Sequence, residues 1–325
     1  MSNAALPLLL AAALLPGPAG AAFNNDYAGT SGGEFLKLGG DARGASMGNA
    51  MTAASEDASA IYYNPAGLSQ LTQRQGAATQ GLLYQDVMVS FASYAHPVTS
   101  IIKPRRRFLR PSGLGTLAVG VLYLNAGGIK EVDNTGFETG GEFTPRDAAF
   151  MAGWGGTVTE ILDLGVALKF VDSRITAAAK TGAVDAGARL RLELLGMPYT
   201  AAVVARNMGG TLRFHEQDDP LPMDIRVGQT LRPFSYWLLS LDLAFPRDNT
   251  YYPSFGTEFI AQLEKEVAAS VRMGYDGRIS PSDLDGVAAF SLGAGCVIKG
   301  WSADYAWVPF GDLGHTHRFS LAFKF

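Results

Sequence analysis

Along residues 163–171, DLGVALKFV, the chain alternates without a break. Leu164, Val166, Leu168 and Phe170 share one side of an extended strand, and Asp163, Gly165, Ala167 and Lys169 share the other. The same period of two returns in GARLRLELL, where Leu190, Leu192 and Leu194 oppose Arg189, Arg191 and Glu193. It returns in WLLSLDLAF, where Trp237, Leu239, Leu241, Leu243 and Phe245 oppose Ser240 and Asp242, and again in LPMDIRVG, VAASVRMGY and RFSLAFKF. A soluble antiparallel sandwich alternates too, so the period alone does not settle the surroundings. The polar faces do: charged residues stand in mid-strand, in segments of about ten residues, as in a membrane barrel with apolar outside and polar lumen. About fourteen such segments occur, an even number of the kind such barrels use. The expected fold is all-β, a transmembrane antiparallel barrel of about 14 strands.

The connections carry an independent rhythm. Short turns near 160–162, 195–198, 233–236, 263–266 and 299–301 alternate with longer stretches at 125–146, 172–183, 207–220, 246–253, 276–286 and 308–316. Short periplasmic turns and long external loops give this pattern. One connection breaks it. TSIIKPRRRFLRPSG, residues 99–113, is long and basic where a short turn is due, and reads as a solvated loop or as a contact with acidic headgroups or a partner.

Composition sharpens this picture. The chain has 39 glycines in 325 residues and 17% charged residues, against a globular average of about 7% Gly and roughly 25% charged. A formal net charge of -4 supplies no basic surface for nucleic acid. The single cysteine, Cys296, forms neither an intrachain disulfide nor a redox pair. Residues 1–22 read as an export signal, with an apolar run at Leu6–Leu15, a Pro/Gly break and Ala19-Gly20-Ala21 as cleavage site, although MSNAA lacks Lys and Arg. The run is too short to span a bilayer, which takes about 20 residues. Residues 23–72 would then form an N-terminal plug, and 73–325 the barrel.

The C-terminus, RFSLAFKF, aligns Phe319, Leu321, Phe323 and the terminal Phe325 on one face. It resembles the last-strand signature by which outer-membrane barrels are recognised for assembly. The stretch GGEFLKLGGDARGASMGNAMTAASEDASAIYYNPAGLSQL resembles the N-terminal region of the PorV/PorQ family of outer-membrane barrels, related to the FadL fatty-acid channels. The matching residues are Ala42-Arg43, Met47-Gly48, Asp57-Ala58, Ala60, Tyr63 and Asn64-Pro65-Ala66-Gly67-Leu68. ARNMGG at 205–210, LPMDIRVG at 221–228 and the last 23 residues extend the resemblance over the mature chain. It implies the outer membrane as location, with outer-membrane lipid and the barrel-assembly machinery as partners. Its PorV side implies, as the leading reading, a role beside secreted proteins in type IX-like export, and its FadL side implies, as the alternative, a passive route for small hydrophobic molecules.

Asn64, Pro65, Ala66 and Gly67 read as a tight plug turn: Asn64 bonding backbone from its side chain, Pro65 fixing φ, Gly67 supplying a left-handed residue. Ser55 is expected to cap a short helix through ASEDASAI, with Glu56 and Asp57 in its first turn. A capped helix and turn without any gating role fits the same letters. Inside the barrel, Asp224, Arg226, Asp242, Glu258, Arg272, Asp304 and Arg318 fall on polar faces at similar distances from the short turns. They predict one belt of charge with bridges along the order Arg226, Asp242, Glu258, Arg272, and so a constricted lumen. No catalytic constellation emerges. No G-x-S-x-G elbow occurs, GGDARGASMG opens no βαβ unit, and Asp312, His315 and His317 lack a further ligand for a metal. No cofactor is expected.

Overall fold

The computed structural model describes residues 30–85, 87–98, 114–133, 135–175, 177–214, 218–279, 288–310 and 314–325. The export signal, the basic 99–113 connection and Asp312 lie outside these residues. The first strands are β1 (Gln75–Leu82), β2 (Met88–Pro97), β3 (Thr116–Asn125), β4 (Ile129–Val132), β5 (Glu138–Phe143) and β6 (Arg146–Thr157). Then follow β7 (Leu162–Arg174), β8 (Ala178–Leu194), β9 (Met197–Met208), β10 (Thr211–Arg213), β11 (Asp218–Pro220) and β12 (Asp224–Phe234). The last are β13 (Trp237–Pro246), β14 (Tyr252–Glu264), β15 (Val267–Asp276), β16 (Phe290–Ile298), β17 (Trp301–Pro309) and β18 (His315–Lys324).

Fourteen strands close into one antiparallel barrel, in which β1 completes the circle by pairing with both β2 and β18. The other four form two small hairpins, β4–β5 and β10–β11, within the connections. Closure leaves no barrel edge unpaired, a requirement in hydrocarbon, where an unbonded amide costs several kcal/mol. The alternation fixes which face points out. Leu164, Val166, Leu168 and Phe170 are exposed on β7, whereas Asp163, Ala167 and Lys169 are buried inside. Aromatic side chains meet at both ends of the outer wall. Phe234, Trp237 and Phe259 stack near the short turns, where Phe323 also stacks on Phe325 and tilts against Trp301. At the long-loop end, Tyr84 meets Phe310, Phe245 meets Tyr251 and Tyr275 meets Phe290. An apolar band between two aromatic girdles is the form of an outer-membrane barrel. Among the described residues no helix is long and apolar enough to cross a membrane.

Two connections differ from the pattern read in the sequence. Residues 172–183 are mostly strand: β7 runs to Arg174 and β8 resumes at Ala178. Asp172 and Lys180 are cross-strand partners in an ion pair at 3.3 Å, so charges that read as loop extend the ladder. The 207–220 stretch folds inward through β10–β11, with Leu212 and Leu221 almost wholly buried.

Residues 34–71 lie inside the barrel as short turns and helices with a buried apolar centre of Phe35, Leu36, Met47, Met51, Ile61, Tyr62, Tyr63 and Leu68. This inner segment starts at the long-loop end, where Gly32 N–H donates to Pro220 O at 2.9 Å. It ends at the short-turn end, where Gln70 donates to Asp163 at 2.9 Å.

Candidate functional site

The lumen is the concavity that closure of the sheet creates, and its wall has two chemistries. From β2 to β8 the inward residues are mostly small or apolar. Val89, Phe91, Ala95, Ala118, Leu122, Ala149, Met151, Ala167, Val171, Ala179 and Ala183 form one buried cluster with Ile61, Tyr62 and Leu68. From β12 to β18 they are mostly polar: Asp224, Arg226, Ser240, Asp242, Ser254, Glu258, Arg272, Ser291, Arg318 and Ser320 are all buried, beside Leu238, Ala244 and Ala306.

The wall lets the inner segment approach to backbone contact. A Cβ on Gly165 would stand 2.2 Å from Ala66 N, one on Gly155 2.1 Å from Pro65 O, and one on Gly274 2.0 Å from Gly48 N. Gly228, Gly256 and Gly293 likewise face Thr52, Met47 and Ser46 at 2.4–2.7 Å. Part of the unusual glycine content therefore serves close approach between wall and inner segment.

The Asn64-Pro65-Ala66-Gly67 element is placed here. Asn64 is fully buried, its side chain accepting from Ala66 N–H at 3.1 Å and donating to Thr52 O at 2.9 Å. It caps a 3₁₀ helix, Pro65–Gln70, with Pro65 at its first turn. Gly67 differs from expectation, since it is not among the left-handed residues. It is needed because a Cβ there would stand 2.2 Å from Ser55 O. Ser55 is not a helix cap either. The helix is Ala60–Tyr63, and Asp57 instead takes the N–H and hydroxyl of Ser59 at 2.9 and 2.5 Å. Glu56 reaches sideways to Arg189 of the wall at 2.9 Å, whereas Asp57 stays with the turn that leads into the helix.

The seven charged lumen residues all face inward, but not as one belt. Asp224 pairs in register with Pro246, at the far end of β12 from the 234–237 turn, while Glu258 stands opposite Leu238 beside that turn. Two clusters result. In the upper one, Asp224 accepts from Arg206 at 2.7 Å and Arg226 at 2.6 Å, and Arg226 donates to Tyr252 at 3.0 Å. In the lower one, Glu258 accepts from Arg43 at 2.7 Å and Arg272 at 2.6 Å, and Arg272 also reaches Asp304 at 2.6 Å. Between them, Asp242 makes no bridge to Arg226. It accepts from the backbone and hydroxyl of Thr52 at 3.0 and 2.6 Å. Arg318 donates to the carbonyls of Leu38 and Gly39 at 2.5 and 3.2 Å. The stagger of tilted strands separates levels that equal counting along each strand makes look alike.

Several participants were not singled out in sequence. Lys169 and Asp185 form a buried ion pair at 2.7 Å in the mostly apolar half, where Asp163 and Arg189 are buried as well, and Lys169 donates to Asn207 at 2.8 Å. The Tyr62 ring lies under both Lys169 and Arg206, at 5.8 and 5.7 Å. Lys169, Asp185 and Arg206 stand at polar positions of the two-residue period, which was the available signal. Within the inner segment, burial pushes Asp41 up to about 6, and the nearby Asp57 charge adds to it. Burial works against the Arg43 guanidinium, yet Glu258 and then Asp57 hold it well above its ordinary value.

Of the C-terminal residues expected to act as an assembly signal, Phe319, Leu321 and Phe325 are exposed on the outer wall, and Phe323 is half-buried between Trp301 and Phe325. His315 and His317 also face outward, beside Trp307 and bonded to Tyr305 respectively. Among the described residues no group of three potential ligands could hold a metal ion.

The barrel has the fold of known hydrocarbon channels. It matches the Pseudomonas putida toluene transporter TodX with TM-score 0.53 at 11% identity, over 88% of this chain and 96% of that one. It matches the Ralstonia pickettii toluene transporter TbuX with TM-score 0.55 at 12% identity, over 88% and 98%. A Pseudomonas aeruginosa FadL homologue matches with TM-score 0.50 at 12% identity, again over 88% and 98%. No protein-family model and no curated protein matches the chain. The chain is thus a FadL-like outer-membrane β-barrel in fold.

Proposed function

We propose that the protein is a plugged outer-membrane channel for small hydrophobic molecules, and not an enzyme. The observation that carries this reading is the apolar half of the lumen. A barrel needs polar groups inside to tolerate water, whereas Val89, Phe91, Leu122, Ala149 and Val171 line one side with surface that a hydrophobic solute can wet and a sugar cannot. With residues 34–71 seated, that side is filled by Ile61, Tyr62 and Leu68, so passage requires the plug to shift. The likeness in fold to hydrocarbon channels supports the reading.

A second reading takes the plug as permanent and the barrel as an accessory to type IX-like export, as the PorV/PorQ resemblance implies. The grip on the charged half favours it, since Arg43 is locked to Glu258 and Thr52 to Asp242. Vesicles containing the purified protein test the choice. Entry of a monoaromatic hydrocarbon well above that of empty vesicles, with exclusion of a disaccharide, is the expected result. Equal hydrocarbon entry, together with loss of secreted cargo in cells lacking the protein, would support the second reading instead.

A further inference from the structure

The β3–β6 connection carries an arm that the barrel does not use. Asn125 and Arg146 are direct ladder partners, so the wall is complete beneath it. Above that pair, β4 and β5 make an isolated two-stranded hairpin whose outer edges have no barrel neighbour. Such a hairpin is marginal alone. This one has a built tip: Asp133 accepts from the N–H groups of Thr135 and Phe137 at 2.8 and 3.1 Å and from the Thr135 hydroxyl at 2.6 Å. Those bonds hold the exposed Asp133 carboxylate below its ordinary pKa. They present Phe137 to solvent at 73% exposure.

The two faces of the arm differ. Ile129 and Phe143 are partners on one face, which also carries Glu131 against Gly141. Glu138 and Glu142 stand on the other, with Lys130 held by Glu138 at 2.9 Å. Lys130 alone opposes the charges of Glu131, Asp133, Glu138 and Glu142. Gly140, at φ 80°, bends β5 midway, and the outer edge of that strand pairs with no other strand among the described residues. We propose that this arm is a docking edge for an extended cationic segment of another protein at the cell surface. The segment adds as a strand beside β5, with basic side chains over the acidic face and apolar ones over the face of Ile129 and Phe143. This goes beyond the transport reading and is independent of it.

The test uses purified full-length protein in detergent and a labelled probe of about ten residues with alternating lysine and valine. Its controls are a version with two valines replaced by proline and a glutamate–valine version. A barrel in which a two-residue turn joins Asn125 to Arg146 completes the set, its folding checked by its heat-modifiable mobility. The proposal expects the lysine–valine peptide to bind intact protein at least about tenfold more tightly than either control, and to lose that advantage on the clipped barrel. It is overturned by equal binding to the clipped barrel, by equal binding of the proline peptide, which would mean attraction of charge alone, or by no binding to the intact protein.

Discussion

The two halves of the lumen hold the same inner segment by different means. On the β2–β8 side contact is mainly by shape: glycines at 155 and 165 admit the Pro65–Ala66 backbone, and alanines and larger apolar residues pack on Ile61 and Leu68, with Arg189 on Glu56 and Asp163 on Gln70 as the polar contacts. On the β12–β18 side glycines at 228, 256, 274 and 293 also admit the segment, and the charged contacts are more deeply buried, with Arg43 on Glu258, Thr52 on Asp242 and Ala42 N–H on Ser320. Dispersion and hydrophobic contact fall away gradually as surfaces part, whereas a buried charge left without its partner costs several kcal/mol at once. A plug that moves would therefore yield on the apolar side first and pivot on the charged side.

The largest effect should come from filling the contact where the two backbones touch. Gly274→Val sets a side chain against Gly48, which is already packed against the Tyr275 backbone and has little room to retreat. We expect a barrel with an unseated inner segment, seen as rapid proteolysis of residues 34–71 while the strands stay protected. Removing the shared acid comes next. Glu258→Ala leaves Arg43 and Arg272 buried with less compensation, a loss of about 3–5 kcal/mol, measurable as a lower unfolding midpoint. Arg43→Met paired with it should recover part of that loss, a coupling that separates charge from packing.

On the apolar side, Ile61→Ala should cost about 2–5 kcal/mol through an unfilled cavity, yet leave the ion pairs of the opposite half intact. If it released the charged contacts as well, the two grips would not be independent. The smallest effect is acid-dependent. Asp41 has its folded value raised from 3.8 to about 6, so the folded state binds the extra proton between those values. Seating is stronger below the window and weakens as pH rises through it. Moving from pH 7 to pH 5 should tighten the segment by about 1 kcal/mol, and Asp41→Asn should flatten that dependence.

The strands, their outward faces and the inward orientation of the seven charged residues could be read from a two-residue period, because alternation is local. Their levels could not. Whether Asp242 meets Arg226 or Thr52 depends on strand stagger and on where residue 52 lies inside the barrel, and neither is written in the spacing of one strand. The glycines show the same limit. Gly67 looked like a turn residue and is instead a residue without a side chain because Ser55 O passes beside it. The 172–183 stretch misled in the opposite sense, its charges suggesting a loop where Asp172 and Lys180 pair across two long strands.

The central claim is that the intact lumen is shut by a segment locked to its charged half. Single-channel recording in planar bilayers tests it most directly, comparing the parent protein with Arg272→Ala, which strips Glu258 and Asp304 of their shared partner. The account predicts no steady conductance from the parent and frequent openings from the variant. A large, stable, ohmic conductance from the parent protein would contradict it.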